Sequence, residues 1–455
     1  MSTEEKKKVP RRIAQAVLNS LKGGVVPRIG LPYIAVGRKN EIEALLHDVD
    51  IIAEGGASFR FIVGRYGSGK SFLMQTIRNY VMDRNFIVAD ADLSPERRLQ
   101  GTGGQGLATY RELIRNLSTK TKPEGGALSL VLDRWISRVQ SEAALENGFT
   151  TGDPASQTGL AADTPALTRA VDLKIAQVTS QVSELVHGFE FARLLSLYYH
   201  AYVEGDDETK ARVTKWFRGE YTTKREAREE LGVSIIISDD DWYDYLKLFA
   251  AFFRLAGYAG MMIMIDEIVN LYKIPNSITR QYNYEKLLTM YNDTLQGKAQ
   301  YLGILMGATP QAIEDRRRGV FSYEALRSRL AEGKFSREGA RDLLSPVIRL
   351  EPLSPEEMMV LTEKLSSMHA DLYGYEERLT EEDLAAFLRI EYERVGADLN
   401  ITPREVIRDF IELLDLLYQD PSRKLSDLLG SEEFTFTKSE AVSDDAAEGF
   451  AEFTL

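Results

Sequence analysis

The sequence predicts an α/β fold built on a parallel sheet, with a large helical insertion inside it and a helical lid domain after it. Three observations carry that prediction. FRFIV (59–63) reads as a strand that runs into a glycine-rich loop and then an amphipathic helix, SFLMQTIRNYVM (71–82). MMIMIDEI (261–268) and YLGILMGATP (301–310) are too short and too uniformly apolar for amphipathic helices, and fit strands buried on both faces. Between those two regions the chain is mostly of helical periodicity.

The elements follow in order. Residues 1–36 read as a leader: an amphipathic helix with Ile13, Val17 and Leu21 on one face, ended by Gly23–Gly24, then an extended VVPRIGLPYIAV segment. Residues 37–120 read as helix, strand, glycine-rich loop, helix and strand. Residues 121–255 form the helical insertion, with an irregular loop at about 146–165. After the loop, Thr164–Pro165 signal a helix whose Leu167, Val171, Val178, Val182 and Leu185 share one face. That stripe suits a packed helical hairpin or a partner-binding coiled coil. Residues 256–353 resume the α/β pattern and close with a short strand in VIRLEPLSPEEM (347–358), where Ser354 caps the next helix. Residues 354–421 read as the lid domain and 422–455 as an acidic tail. A length of 455 residues, at about 150 per domain, agrees with roughly three structural units.

Composition narrows the function. Hydrophobic residues at 44% and charged residues at 27% exclude a largely disordered chain. With no cysteine, disulfides, thiolate nucleophiles and Cys-based zinc or iron–sulfur sites are excluded. A net charge of −13 argues against coating nucleic acid by bulk charge, though not against a local basic contact. No apolar run approaches a membrane span and no h-region follows the basic N-terminus, so a cytoplasmic location is expected. The histidines, His47, His187, His200 and His369, lack metal-ligand spacing, and no G-x-S-x-G elbow is present.

The motif with the most chemistry is Gly64-Arg65-Tyr66-Gly67-Ser68-Gly69-Lys70-Ser71, a G-x-x-x-x-G-K-[ST] phosphate loop in its required strand–loop–helix context, with Phe72 continuing the helix. Its glycines let successive N–H groups curl round phosphate oxygens at the positive end of a helix. Lys70 would reach the β- and γ-phosphates and Ser71 would supply a hydroxyl to Mg²⁺. Asp266 and Glu267, at the end of an apolar strand, are the partner carboxylates: Asp266 to support Mg²⁺, Glu267 to polarise the attacking water. Thr309, at the end of the other apolar strand, either senses the γ-phosphate or simply terminates the strand. Beyond it lie Arg316, Arg317, Arg318, Arg327 and Arg329. Most arginines of this kind form surface ion pairs, but Arg327 or Arg329 would suit an arginine finger for a neighbouring subunit, which implies ATP-dependent self-association. Asp239–Asp241 read as caps for the helix after them. In ITRQYNYEKLLTMYNDTLQG (278–297), Tyr282, Tyr284 and Tyr291 with Arg280 and Lys286 suit core packing better than a clamp on single-stranded nucleic acid.

Together, AVGRKNEIEALL (35–46), GRYGSGKS, IDE and ATP resemble the AAA+-type P-loop NTPases of the initiator and STAND groups. The resemblance implies that Val26, Pro27 and the segment from Ile34 through Val36 and Gly37 to Arg38 border the adenine. It also implies that Arg404, opening the helix of NITPREVIRDFIELL (400–414), touches the γ-phosphate from the lid. WFRGEYTTKREAREELGV (216–233) and GYAGMMIMIDEI (257–268), with the helical insertion, are similar to BrxD-like ATP-binding proteins of the BREX phage-defence type. That likeness implies an ATPase working beside a helicase or other effector, with DNA contact open. The initiator group usually continues into a winged-helix domain that this chain does not show, which argues against sequence-specific DNA binding of its own. A nucleotide-gated scaffold with little hydrolysis is the alternative.

Overall fold

The computed structural model describes residues 9–146, 165–183, 185–331, 342–394 and 402–429. Its helices and strands, in chain order, are α1 (Arg11–Lys22), α2 (Leu31–Ile34), α3 (Lys39–Ala53), β1 (Ala57–Val63), α4 (Lys70–Asp83), β2 (Ile87–Asp92), α5 (Gln105–Arg115), α6 (Leu128–Glu146), α7 (Pro165–Ser183), α8 (Gly188–Glu204), α9 (Asp207–Phe217), α10 (Lys224–Leu231) and α11 (Trp242–Leu255). There follow β3 (Met261–Asp266), α12 (Val269–Tyr272), α13 (Ser277–Leu295), β4 (Leu302–Ala308), α14 (Pro310–Glu314), α15 (Glu324–Leu330), β5 (Val347–Arg349), α16 (Pro355–Tyr373), α17 (Glu381–Arg394), α18 (Pro403–Gln419) and α19 (Leu425–Leu429). Two compact units emerge: residues 37–352, and residues 1–36 with 353–455.

The larger unit is α/β. Its five strands are ordered β2-β3-β4-β1-β5 and every neighbouring pair is parallel. The apolar runs predict this, since strands covered on both faces need no polar alternation. On one face Ile62, Val88, Met262, Met264 and Leu305 pack with Leu45, Val49 and Ile52 of α3 and Leu73, Ile77 and Val81 of α4. On the other, Phe59, Phe61, Ala89, Ile263, Ile265 and Ile304 join a larger core that continues into α6, α8 and α11. Aromatic rings fill that core: Phe191 meets Phe217 at 4.9 Å and Phe249 at 5.1 Å between centroids, and Trp135 meets Phe252 at 5.5 Å. The helices between β2 and β3 thus share one apolar interior with the sheet.

In the smaller unit α1 packs on α16 and α18, and α2 packs on α16. Ser354 opens α16 in a capping box with Glu357, and Thr402 with Glu405 does the same for α18. A polar knot centred on buried His369 ties the helices together. His369 meets the Tyr375 hydroxyl at 2.9 Å through Nδ1 and Asp415 at 3.1 Å through Nε2, while Lys22 meets the other Asp415 oxygen at 2.6 Å.

Several local expectations are corrected. The segment read as extended contains α2, entered through Gly30 at φ 80°. Asp239 caps α5 instead of α11: its carboxylate accepts the N–H groups of Gly104 and Leu107, both at 2.7 Å. Asp241 precedes α11 but makes no side-chain cap to it, bonding the Ser238 N–H at 2.7 Å instead. On the expected helical stripe, Val171 and Val182 are buried, Leu185 is 38% exposed, and Ile175 fills the middle position. Thr164 and most of the 146–165 loop lie outside the described residues, as does the tail from 430 onward.

Candidate nucleotide site

The loop between β1 and α4 is held open by glycine chemistry. Gly67 and Gly69 have φ of 76° and 94°, in the left-handed region that side chains disfavour. At Gly64 a Cβ would sit 2.4 Å from Ser68 Oγ. The Gly64 N–H donates to the Ala308 carbonyl at 3.1 Å, which levels the end of β1 with the end of β4. Lys70 curls over the loop and donates to the carbonyls of Gly64 and Arg65, both at 2.9 Å. Ser68 Oγ is buried with no hydrogen-bond partner. Arg65 and Tyr66 are exposed, and Phe72 is half-buried at the first turn of α4. A glycine-shaped loop at the N-terminus of α4, with an unsatisfied buried hydroxyl, suits an anionic oxygen cluster.

The carboxylates meet this loop from β3. Asp266 Oδ2 accepts from Ser71 Oγ at 2.9 Å, joining positions 195 residues apart. Gly307 on β4 makes room for Asp266, because a Cβ there would lie 2.1 Å from Oδ1. Glu267 has φ of 60°, unusual for a side-chain-bearing residue, and its N–H bonds Asp266 Oδ1 at 2.8 Å. Backbone strain of this kind costs about 1–3 kcal/mol and is concentrated at functional sites. The Glu267 carboxyl is pushed above its ordinary range, first by partial removal from water, then by the charges of Asp266 and Asp92, with Lys70 and Lys273 opposing. Asp92, at the end of β2, is raised in the same way by partial burial, then by Asp266 and Asp90. Among the described residues no group of three or more His, Cys, Asp or Glu is placed to hold a metal ion. Ser71 and Asp266 are therefore the pair that could take a cation, one whose remaining ligands come from phosphate and water.

A family model for the BREX system ATP-binding protein BrxC/D matches residues 9–433. The chain belongs to this family. It is thus an ATP-binding protein of BREX phage defence, and membership implies partners within that system. A search of curated proteins found no match. No described helix is long and apolar enough to cross a membrane.

In this BrxC/D-family chain the other predicted site residues fall into three groups. Gly37 and Arg38 belong to the sheet unit, both in left-handed backbone at φ 65° and 63°. Arg38 braces the phosphate loop from behind: its guanidinium donates to the carbonyls of Ser68 at 3.2 Å and Glu351 at 2.6 Å. Thr309 sits at the end of β4, the strand between β1 and β3, and its hydroxyl caps α14 by accepting from Ala312 N–H at 3.3 Å. The strand-terminating role is filled, with the hydroxyl proton still available to donate.

The arginines after Thr309 lie on short helices and turns. Arg327 pairs with Glu324, and Arg329 reaches the Ala325 carbonyl of its own helix at 2.7 Å. Arg316 and Arg317 are exposed, and Arg318 lies over the Tyr272 ring at 5.3 Å. Val26, Pro27, Val36 and Arg404 belong to the smaller unit. There Val26, Val36 and Arg404 are half-buried, Pro27 is buried, and Arg404 opens α18 near Gly24. The aromatic segment is a packing element: the Tyr284 hydroxyl donates to the Arg318 carbonyl at 2.6 Å, and Arg280 to the Ile274 carbonyl at 2.6 Å. Tyr291 is buried against Phe59 at 5.6 Å, Lys286 bonds the Asp240 carbonyl at 2.8 Å, and Tyr282 alone of the three tyrosines is exposed.

Sequence reasoning missed three residues here: Asp92, Gly307 and the bracing role of Arg38. Asp92 had a signal, an aspartate ending an apolar strand in IVADAD, just as Asp266 ends MMIMID. Gly307 had the weaker signal of a glycine inside an otherwise apolar strand, which marks a close approach.

Proposed function

We propose that the chain hydrolyses ATP with Mg²⁺ at this loop, on an AAA+-like core, and uses the γ-phosphate contact to change its association with BREX partners. The observation that carries the proposal is the Ser71–Asp266 hydrogen bond at 2.9 Å. It brings a phosphate-loop hydroxyl and a strand-end carboxylate together as a ready cation seat, with Glu267 next in sequence. Bound there, Mg²⁺ would neutralise phosphate charge and orient the γ-phosphate.

The chain's own groups supply the rest. The loop N–H groups would hold phosphate oxygens, and Lys70 would exchange the Gly64 and Arg65 carbonyls for β- and γ-phosphate oxygens. Glu267, whose raised proton affinity suits a base, would orient and polarise the attacking water. The strand order supports this assignment, since β4 lies between the loop strand β1 and the carboxylate strand β3. Thr309 would then donate its proton to the γ-phosphate or the water. Arg404 would report the phosphate to the smaller unit, and Arg327 or Arg329 would act on a neighbouring copy.

Turnover by the full chain, with and without DNA, tests the proposal. Wild type is expected to hydrolyse ATP, and Glu267→Gln to retain nucleotide while losing on the order of 100-fold or more in rate. Normal hydrolysis by Glu267→Gln would remove that residue from the mechanism. Nucleotide binding without turnover in wild type, under every condition, would favour the nucleotide-gated scaffold.

A further inference from the structure

We infer that Asp92 is a third carboxylate of the nucleotide site, set to hold cation-bound water and to make nucleotide binding depend on a divalent cation. The inference rests on the nucleotide reading above and adds a residue to it.

Strand geometry places the side chain. β2 and β3 are parallel neighbours in which Asp92 pairs with Asp266, and the ladder continues one step further, where the Leu93 N–H donates to the Asp266 carbonyl at 3.1 Å. Alternation therefore still governs Asp92. Val88, Met262 and Met264 pack toward α4, and Asp90 is met from α4 by Arg78 at 2.9 Å. Asp92, two residues on, points the same way, as does Asp266, whose carboxylate meets Ser71 on the first turn of α4. Both carboxylates thus face the phosphate-loop helix, side by side on adjacent strands.

Their partners differ from those of the residue below. Asp90 has a dedicated arginine. Asp92 is solvent-accessible as a residue though partly shielded on its inner side, and its carboxylate accepts no hydrogen bond from a described residue. The nearby cation, Arg97, spends its Nε on the Asp92 backbone carbonyl at 2.9 Å. The charges of Asp266, Asp90 and Glu112 press on Asp92 and those of Asp266 and Asp92 on Glu267, relieved in part by Arg97, Lys70 and Lys273. Adding a triphosphate to this edge without a cation brings like charges together.

Asp266 is the carboxylate bonded to Ser71, and Asp92 stands one strand further from β1 and its loop, beyond that seat. From there its carboxylate would accept hydrogen bonds from waters that a small cation retains. The consequence is selectivity: free nucleotide is repelled and cation-bound nucleotide is accepted.

The test is equilibrium titration of the full chain with a fluorescent ATP analogue, in Mg²⁺ and in EDTA. The wild-type ratio of affinities measures the coupling. Asp92→Asn is expected to lower that ratio roughly tenfold, by tighter binding in EDTA and weaker binding in Mg²⁺. Asp92→Glu, which keeps the charge, is expected to restore most of it. Asp83→Asn, which removes an exposed charge at the far end of α4 near Lys120, is expected to leave it unchanged. Melting curves establish that each variant is folded, and Asp92→Ser replaces Asp92→Asn if the latter is not. A ratio within about twofold of wild type for the uncharged variant, in a wild type that binds nucleotide, overturns the role of Asp92 alone. No binding by wild type in either condition overturns the nucleotide reading and this inference together.

Discussion

Carboxylates in the body of the sheet unit and those at its carboxyl edge are treated in opposite ways. Asp48 is almost fully buried, and Arg60 grips it with Nε at 2.6 Å and Nη2 at 2.7 Å while Ser58 donates at 2.8 Å. Arg60 also donates to the carbonyls of Leu344 and Ser345, tying in the approach to β5. Asp90 is held by Arg78, which in turn bonds Ser118 and the Pro123 carbonyl, each at 2.7 Å. One strand end away, Asp92, Asp266 and Glu267 gather, and among the described residues no arginine is hydrogen-bonded to their carboxylates, Arg97 reaching only the Asp92 backbone carbonyl. A fold able to neutralise a buried carboxylate with a forked, fully used guanidinium does so where charge would be costly. It leaves charge only partly matched at the carboxyl edge, beside the glycine-rich loop.

The comparison can be broken most severely at Arg60. Arg60→Leu leaves Asp48 buried and uncompensated, so a loss of about 3–5 kcal/mol is expected, read as a fall of roughly 10 °C in the melting of the sheet unit. The Arg60→Leu, Asp48→Leu double variant should recover most of it; no recovery would mean that the carbonyl contacts, not the ion pair, hold the strand. At the edge, Lys70→Ala removes two charge-assisted bonds to carbonyls of its own loop, at Gly64 and Arg65, so it should lower melting by only a few degrees yet weaken ATP binding roughly 10- to 100-fold. Equal loss of stability and affinity would make Lys70 structural.

The smaller unit supplies a buried titrating group for contrast. Burial lowers the proton affinity of His369, the Asp415 carboxylate opposes that, and Lys22 adds to the lowering. The unfolded chain therefore binds the extra proton more readily below the ordinary histidine value of about 6.5. Stability rises with pH across that window and is lost as pH falls through it. The expected signature is a melting temperature a few degrees lower near pH 5 than near pH 7, flattened in His369→Gln. An unchanged slope in the variant would assign the pH dependence elsewhere.

The smallest effect belongs to Glu267. Its raised proton affinity means the ionised form costs the fold something above the ordinary glutamate range, and nothing below it. Without ligand near pH 7, Glu267→Gln should therefore melt on the order of 1 °C higher, the gain vanishing near pH 4. A lower melting temperature for the variant would show that Glu267 is paired, not crowded.

The phosphate loop and the Asp266–Glu267 strand end were legible because their chemistry is local. Consecutive glycines before Lys-Ser, and a run too apolar for anything but a buried strand, mean the same thing wherever they occur. The apolar runs likewise specify five parallel strands, because parallel strands are covered on both faces. Three things were not legible. Asp239 resembles any helix-start aspartate, yet it caps α5 from far along the chain, since its carboxylate reaches the Gly104 and Leu107 N–H groups. Arg38 lies in a box tied by resemblance to adenine, and its guanidinium goes to backbone carbonyls behind the loop. Asp92 carries an ordinary strand-end signature whose meaning depends on which strand lies beside it.

The sequence by itself therefore determined the local motifs: a glycine-rich loop running into Lys70–Ser71 and an apolar strand ending in Asp266–Glu267, each encoded in a few consecutive residues. Only the tertiary structure decided which of its many acidic residues stand beside those motifs. Strand order and register are set by long-range packing, so Asp92 stands beside Asp266, and Gly307 opens the space that Asp266 occupies. No local pattern of side chains records which strands become neighbours.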